Sequence, residues 1–313
     1  MLWFLSAIGS ALVFGLAGLF MKISQMRSGS AGSLLLGLYT AGTLGFWGQA
    51  LLNHHWTPLD WRIWIAGAIV GLGSAWGNLL FMKALDYGPA SLTSPLTNAN
   101  ILLVIAMGAI WYGEPLQPIA AVGVVCLLFA VLLAIRNEGS YAVKSSRWYG
   151  LVLLAMLLFF FRNGGLKVTD ALGLDNTNVL WSGYLLSWLW FAVSSRKEAS
   201  GSRSDAESRS SVRAGSRAEP KAKSRAGADV SAGASPARTG FLWGLVAGVC
   251  SYGGLQLYAS ALGEGPSHLV APIFATNGLV VALGSVLLYR ERLTVLQWGA
   301  FAFLMLGLVL VRI

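Results

Sequence analysis

Ten stretches of about 20 mostly apolar residues, each long enough to cross the hydrocarbon core of a bilayer, leave this chain few ways to fold. They run near Leu2 to Ile23, Ala31 to Leu52, Arg62 to Leu85, Ser91 to Tyr112, Leu116 to Ile135, Trp148 to Thr169, Asn178 to Val193, Thr239 to Ala261, Ser267 to Tyr289 and Thr294 to Val311. The runs are continuous rather than alternating, which selects helices over barrel strands. Of 313 residues 56% are hydrophobic and only 11% charged, far from the mix of a soluble globular domain. The expected class is an all-α membrane protein, multi-pass, in the plasma membrane (the inner membrane of a bacterium). No basic residue precedes Leu2 and no small-residue cleavage pattern follows the first run, so that run reads as a spanning helix and not as a signal peptide.

The chain repeats itself at a spacing of 177 residues. Gly67 matches Gly244, Gly71 matches Gly248, Ser74 matches Ser251, Gly77 matches Gly254, and Gly88-Pro89 matches Gly265-Pro266. The register continues through Pro95 and Pro272, Asn100 and Asn277, Tyr112 and Tyr289, Glu114 and Glu291, and Leu116 and Leu293. Matches of Gly or Ala come cheaply in such a composition, whereas matches of Pro, Asn, Tyr and Glu do not. A repeat of half the chain suggests a duplicated transporter half with the substrate site between the copies. Five spans per half is an odd number, so the second half must enter the membrane inverted. The expected fold is therefore ten transmembrane helices in two inverted five-helix repeats. Residues 1–137 form the first half, 138–193 the sixth and seventh spans, 194–238 a linker, and 239–313 the last three spans.

The linker, Ser194 to Arg238, is built from Ser, Ala, Gly and Arg, a composition that buries too little apolar surface to order the chain, and it is expected to be disordered. It holds ten basic residues and accounts for much of the net charge of +9, which removes the case for nucleic acid. It reads as a solvated cytoplasmic segment, with contact to anionic lipid as the sharper alternative. Odd-numbered loops hold 18 Lys and Arg against four in the even-numbered loops and the C-terminus, or eight against four without the linker. Basic residues gather on the cytoplasmic side, which points both termini outward.

Ala84-Leu85-Asp86-Tyr87-Gly88-Pro89-Ala90-Ser91, then Ser94-Pro95-Leu96 and Tyr112-Gly113-Glu114, resemble the EamA-type drug/metabolite transporters. Ala261-Leu262, Gly265-Pro266, Ala271-Pro272 and Glu291-Arg292-Leu293 are similar in the second copy, and Phe14-Gly15 with Lys22 resembles the family's aromatic-Gly and Lys pattern in the first span. The resemblance implies the ten-helix inverted fold and export or import of a small solute, and leaves the substrate open. It also implies cytoplasmic termini, against the charge tally.

Charge inside a membrane is costly and reads as functional by default. Arg162 interrupts the apolar run Leu151 to Phe161 and is followed by Asn163-Gly164-Gly165. It is the first candidate for a cavity charge, which would favour a substrate with an anionic or polar group, and a snorkelling residue at a helix end is the alternative. Thr93, Thr97 and Asn100 share one face of the fourth span, beside Ser91, Ser94 and Asn98, and Thr276 and Asn277 offer a related face in the ninth. Tyr252, Gln256 and Ser260 form a stripe in the eighth. Trp76, Trp181, Tyr184 and Trp188 offer ring faces, although most of the 13 Trp should anchor or pack. The substrate-binding set read from sequence is Arg162, Asn100, Asn277, Thr97, Gln256, Tyr252 and Trp76. Interhelical bonding is the alternative for the polar members.

Glu114 and Glu291 precede the last span of each half and read as helix caps, with proton coupling as the alternative. Gly67-xxx-Gly71 and Gly244-xxx-Gly248 allow close helix approach inside the bundle or across a homodimer. Cys126 and Cys250 read as apolar filler, and His54-His55 with Asp60 falls short of a metal site. No phosphate-binding Gly-rich loop and no nucleophile-base or metal constellation is present in the spans, so neither catalysis nor a cofactor is expected. Secondary transport leads, with small-molecule substrate and lipid as partners. The alternatives are a membrane interaction protein acting through the linker, and an intramembrane enzyme.

Overall fold

The computed structural model describes residues 2–113, 118–119, 121–123, 125–126, 129, 145–215, 235–265, 270, 273–289 and 295–310. Among these the helices with described bounds are α1 (Leu2–Met26), α2 (Ala31–Leu52), α3 (Trp61–Tyr87), α4 (Ala90–Asn98), α5 (Ile101–Trp111), α6 (Arg147–Ala171), α7 (Asn176–Gly215), α8 (Pro236–Glu264), α9 (Asn277–Tyr289) and α10 (Val295–Leu310), and there is no strand among the described residues. Most of the fifth span, Glu114 and Glu291 with their expected capping role, Pro266 and Pro272 fall outside the described residues.

Among the described residues, five helical stretches are long and apolar enough to cross a membrane: α1, α3, Leu92–Trp111, α6 and α8, with a shorter apolar stretch at Ile273–Tyr289. α2 packs on both α7 and α8, and α7 on both α2 and α3. Helices with protein on two sides need small and hydrogen-bonding residues, and α2 and the membrane part of α7 supply Gly, Ser, Thr and Tyr there.

The seams come in matched pairs. α1 runs antiparallel to α8, with Trp3 on Gly265 and Phe14 on Gly254, and α6 runs antiparallel to α3, with Trp148 on Gly88 and Phe159 on Gly77. Trp3 and Trp148, like Phe14 and Phe159, are 145 residues apart, while their glycine partners are 177 apart. Likewise Leu34 and Leu38 of α2 meet Gly244 and Gly248 of α8, and Ser182 and Gly183 of α7 meet Gly67 and Gly71 of α3. Both Gly-xxx-Gly motifs are thus used inside the bundle. Gly88 and Gly265 end their helices by donating to Ala84 and Ala261 carbonyls at 3.0 and 2.8 Å. At both, a Cβ would strike an indole, which explains glycine in the Gly-Pro motif.

At the centre, Tyr39 lies 5.7 Å from Phe191 and Tyr184 lies 5.0 Å from Phe46, and the two tyrosine rings are 5.0 Å apart. This column joins α2 to α7 in the core.

Two sequence expectations are corrected here. The fourth span is not one helix: Pro95 lacks an N–H, and Ala99 donates to Leu96 and Leu102 to Ala99 in i→i+3 bonds of 3.1 and 3.0 Å, separating α4 from α5. Thr276 to Ile273 (3.1 Å) and Leu279 to Thr276 (2.9 Å) repeat those bonds 177 residues later, just before α9. Second, residues 194–215 of the linker continue α7 instead of being irregular. A helix already nucleated in the membrane propagates at little cost into Arg, Lys, Glu and Ala. Residues 216–234 lie outside the described residues.

Outside the membrane, Asp60 caps α3, accepting from the Arg62 N–H at 2.9 Å and pairing with its guanidinium at 2.8 Å. The bonds from Arg62 hold the Asp60 carboxyl below the usual carboxylate range. The cap therefore contributes fully above a pH of about 4 and is lost as pH falls through the lowered value.

Candidate functional site

α6 carries Arg162 past the bundle axis roughly 22 Å from its N-terminus at 1.5 Å per residue. Its side chain is 1% exposed, so it neither ends the helix nor snorkels. The guanidinium carbon lies over the Phe14 ring at 5.0 Å and the Phe159 ring at 4.6 Å, the two rings that occupy matched places in the α1–α8 and α3–α6 seams. Nε donates to Asn163 Oδ1 at 3.0 Å, while Nη1 is buried with no hydrogen-bond partner. Among the described residues no carboxylate pairs with Arg162. An arginine at the centre of a spanning helix costs about 3 kcal/mol to insert, and the two rings offset only part of that.

Asn163 passes the bond on. Its Nδ2 donates to Asn100 Oδ1 at 2.8 Å, and Asn100 Nδ2 donates to the Thr97 carbonyl at 2.8 Å. That carbonyl lies at the break between α4 and α5, where it also accepts from the Asn100 backbone N–H at 3.4 Å. Asn98 reaches the other way, donating to Asn277 Oδ1 at 2.9 Å, and Asn277 Nδ2 donates to the Phe274 carbonyl at 2.7 Å. Gly278 lets α9 come this close, since a Cβ there would sit 2.6 Å from Asn98 Nδ2. The two matched breaks are therefore bonded to each other. Asn98→Ala should cost about 0.6 to 1.7 kcal/mol, read as a small fall in Tm; a double-mutant cycle with Asn277→Ala should return most of it as coupling, and a coupling near zero would dissolve the bridge.

Arg162, Asn277, Thr97, Asn98, Ser94, Asn78 and Ser251 surround a cavity of about 40 Å³. That is room for about three waters. Ser251 Oγ and Tyr184 Oη share a hydrogen bond of 2.7 Å, and Tyr39 Oη shares one of 3.1 Å with Ser74 while accepting from Asn78 at 3.0 Å. Tyr39–Ser74 and Tyr184–Ser251 are again a matched pair.

Four of the seven residues read from sequence, Arg162, Asn100, Asn277 and Thr97, meet at or directly behind this cavity. Three do not. Trp76 is 43% exposed on the outer face of α3, 5.8 Å from Trp190, because Ile65, Ile69, Leu72 and Trp76 form its lipid-facing stripe. Tyr252 packs on Phe46 and donates to Gln49 at 3.1 Å, away from the cavity. Gln256 does not line the cavity, although its Oε1 is buried without a partner. Arg162 also leaves the tally of loop charges, since it is in the core. The substrate-binding set read from sequence lacks Phe14, Phe159, Tyr39, Ser74 and Asn78, of which the repeat marks Ser74 and the family pattern Phe14. His54 and His55 are exposed in the α2–α3 loop, where the His55 carbonyl accepts from Asn178 at 2.6 Å. A second, apolar groove of about 550 Å³ lies between α3, α5 and α6, lined by Trp61, Ile65, Ile69, Trp111, Phe161 and Val168.

The model of the EamA-like transporter family matches residues 1–136 and 228–313. Probable 4-amino-4-deoxy-L-arabinose-phosphoundecaprenol flippase subunit ArnE of Yersinia pestis (strain Pestoides F) and that of Yersinia pseudotuberculosis serotype O:1b (strain IP 31758) are each 34% identical over 70 residues. The match takes in 22% of this chain and spans 60% of the length of those relatives. One solved crystal structure superposes with a TM-score of 0.60 over 96% of this chain and 97% of its own, at 15% identity, a likeness of fold alone.

Proposed function

This chain belongs to the EamA-like transporter family of the drug/metabolite transporter superfamily and is an integral, multi-pass membrane transporter, and we propose that it is a secondary transporter moving a small polar solute by alternating access. The observation that carries this is the buried Arg162, its Nη1 without a hydrogen-bond partner among the described residues, at a small cavity of mixed polar and apolar lining walled by helices from both ends of the chain. A cavity with room for about three waters must open to admit a metabolite. Seams that exchange under the 145- and 177-residue spacings favour two inverted five-helix halves, and the matched breaks supply equivalent flexing points in each. The substrate set becomes Arg162, Asn277, Thr97, Asn98 and Ser251, with Asn100 and Asn163 behind it. The charge tally favours outward termini.

The test is two-sided accessibility in proteoliposomes. With Cys126 and Cys250 replaced, Ser94→Cys should react with an impermeant thiol reagent from one side at a time, the favoured side shifting when a transported solute is added. Reaction from both sides at once describes a channel, and reaction from neither side under any condition overturns transport through this cavity.

A second reading, in which the cargo is an anionic amphipath with a lipid tail, is favoured by the apolar groove beside α6 and by the cargo in the name of the ArnE relatives. Filling the groove with Gly164→Leu should then slow such a cargo and spare a water-soluble one.

A further inference from the structure

We propose that Arg162 is the receptor for one oxyanion group, carboxylate or phosphate, on the transported solute, and that Asn163 is the residue that positions it. This rests on the transport reading and names its substrate class. A guanidinium presents its donors in a planar fork that suits two oxygens of one anion. Here one edge is already used, since Nε is committed to Asn163. Asn163 is itself held by Asn100, so the plane of the fork is set by a chain of bonds that ends on the helix break. Ring faces from Phe14 and Phe159 occupy part of its surroundings and offer no hydrogen-bond acceptor in the ring plane. What remains is the Nη1 side, buried and without a partner, beside a cavity too small for a whole metabolite and large enough for an oxyanion head.

The site is also asymmetric where its scaffold is not. Phe14 and Phe159, Tyr39 and Tyr184, and Lys22 and Lys167 pair at a spacing of 145 residues, whereas the positions matching Arg162 and Asn163 are Ala17 and Gly18. The bundle thus supplies one fork and not two. A solute carrying a single oxyanion group satisfies it, and a bare cation does not. Lining hydroxyls and amides, Ser94, Thr97 and Asn98 among them, leave donors and acceptors for the rest of the solute.

The experiment uses the full-length protein in detergent, reading Tm and ligand affinity against matched probes: glycerol 3-phosphate against glycerol, and benzoate against benzamide. The charged member of at least one pair should stabilise the wild type, and which pair responds separates phosphate from carboxylate. Asn163→Asp keeps an acceptor on Nε and neutralises the fork, so anion affinity should fall by about 30-fold or more. Arg162→Lys keeps charge without the planar fork and should lose about 10-fold. The proposal is overturned if neutral members stabilise as strongly, if no anion shifts the wild type, or if both variants bind anions as the wild type does. Transport of neutral or cationic solutes with no anion response sinks this inference and leaves the transport reading standing. Anion binding with Ser94→Cys closed to both sides does the reverse.

Discussion

Arg162→Met is expected to reduce transport by at least about 100-fold while leaving Tm level or raising it. The two effects separate because the arginine is a charge without a counter-charge among the described residues. Exchanging buried ionic groups for apolar side chains of similar volume is often neutral or stabilising by about 1 to 4 kcal/mol. Methionine is unbranched and fills irregular space between Phe14 and Phe159. Losing the bond to Asn163 works against this gain, but Asn163 keeps its donation to Asn100. A residue retained at such a cost should be doing something other than holding the bundle together. Uptake into proteoliposomes at matched protein content, with Tm measured in detergent, checks both halves. Undiminished uptake would remove Arg162 from the site, and a Tm lowered by many degrees would make it structural. Trp76→Ala is the comparison, expected to stay within about twofold of wild type because its ring faces lipid.

How much of this was legible in the sequence depends on what the linker did to the register. Between the third and fifth spans and the eighth to tenth, nothing is inserted in one copy and not the other, so a single spacing pairs Asn100 with Asn277 and Ser74 with Ser251. The first two spans pair with the sixth and seventh at 145 residues, and the difference of 32 is taken up by the linker after the seventh. A search at one spacing therefore misses Trp3 with Trp148, Phe14 with Phe159 and Tyr39 with Tyr184, the aromatic half of the site. A second spacing was the signal that would have found them.

The helix break after Asn98 was illegible for another reason. A single turn of i→i+3 bonds hardly disturbs the apolar periodicity, and Pro95 alone does not say whether a helix bends or stops. Trp76 lies away from the cavity: an aromatic ring in a span does not by itself mark a binding surface. In α3 the logic of a soluble helix is reversed: Gly67, Gly71, Ser74 and Asn78 face protein, and Ile65, Ile69, Leu72 and Trp76 face lipid. Small and polar residues at helical spacing mark the interior in a bilayer.

That reversal gives the second large effect: Gly244→Leu is expected to leave no folded protein, and even Gly244→Ala should cost about 3 kcal/mol. A Cβ at Gly244 would overlap the Leu34 carbonyl oxygen and lie 2.9 Å from the Leu34 carbonyl carbon and 3.0 Å from its Cα. These are backbone atoms on a neighbouring helix, so no rotamer change relieves the contact. α2 would have to part from α8 along the whole seam, and with it the Tyr39–Tyr184 column that α2 shares with α7. Gly48 of α2 meets nothing within 4 Å. There Ala should be neutral or add up to about 1 kcal/mol through helix propensity alone. Size-exclusion profiles and Tm of the three variants decide the matter: equal behaviour of Gly48→Ala and Gly244→Ala would mean that the α2–α8 seam is looser than its backbone distances require. The same glycines that make the seam tight also place Ser251 and Tyr184 within 2.7 Å. A loosened seam should therefore be felt at the cavity before it is felt in unfolding.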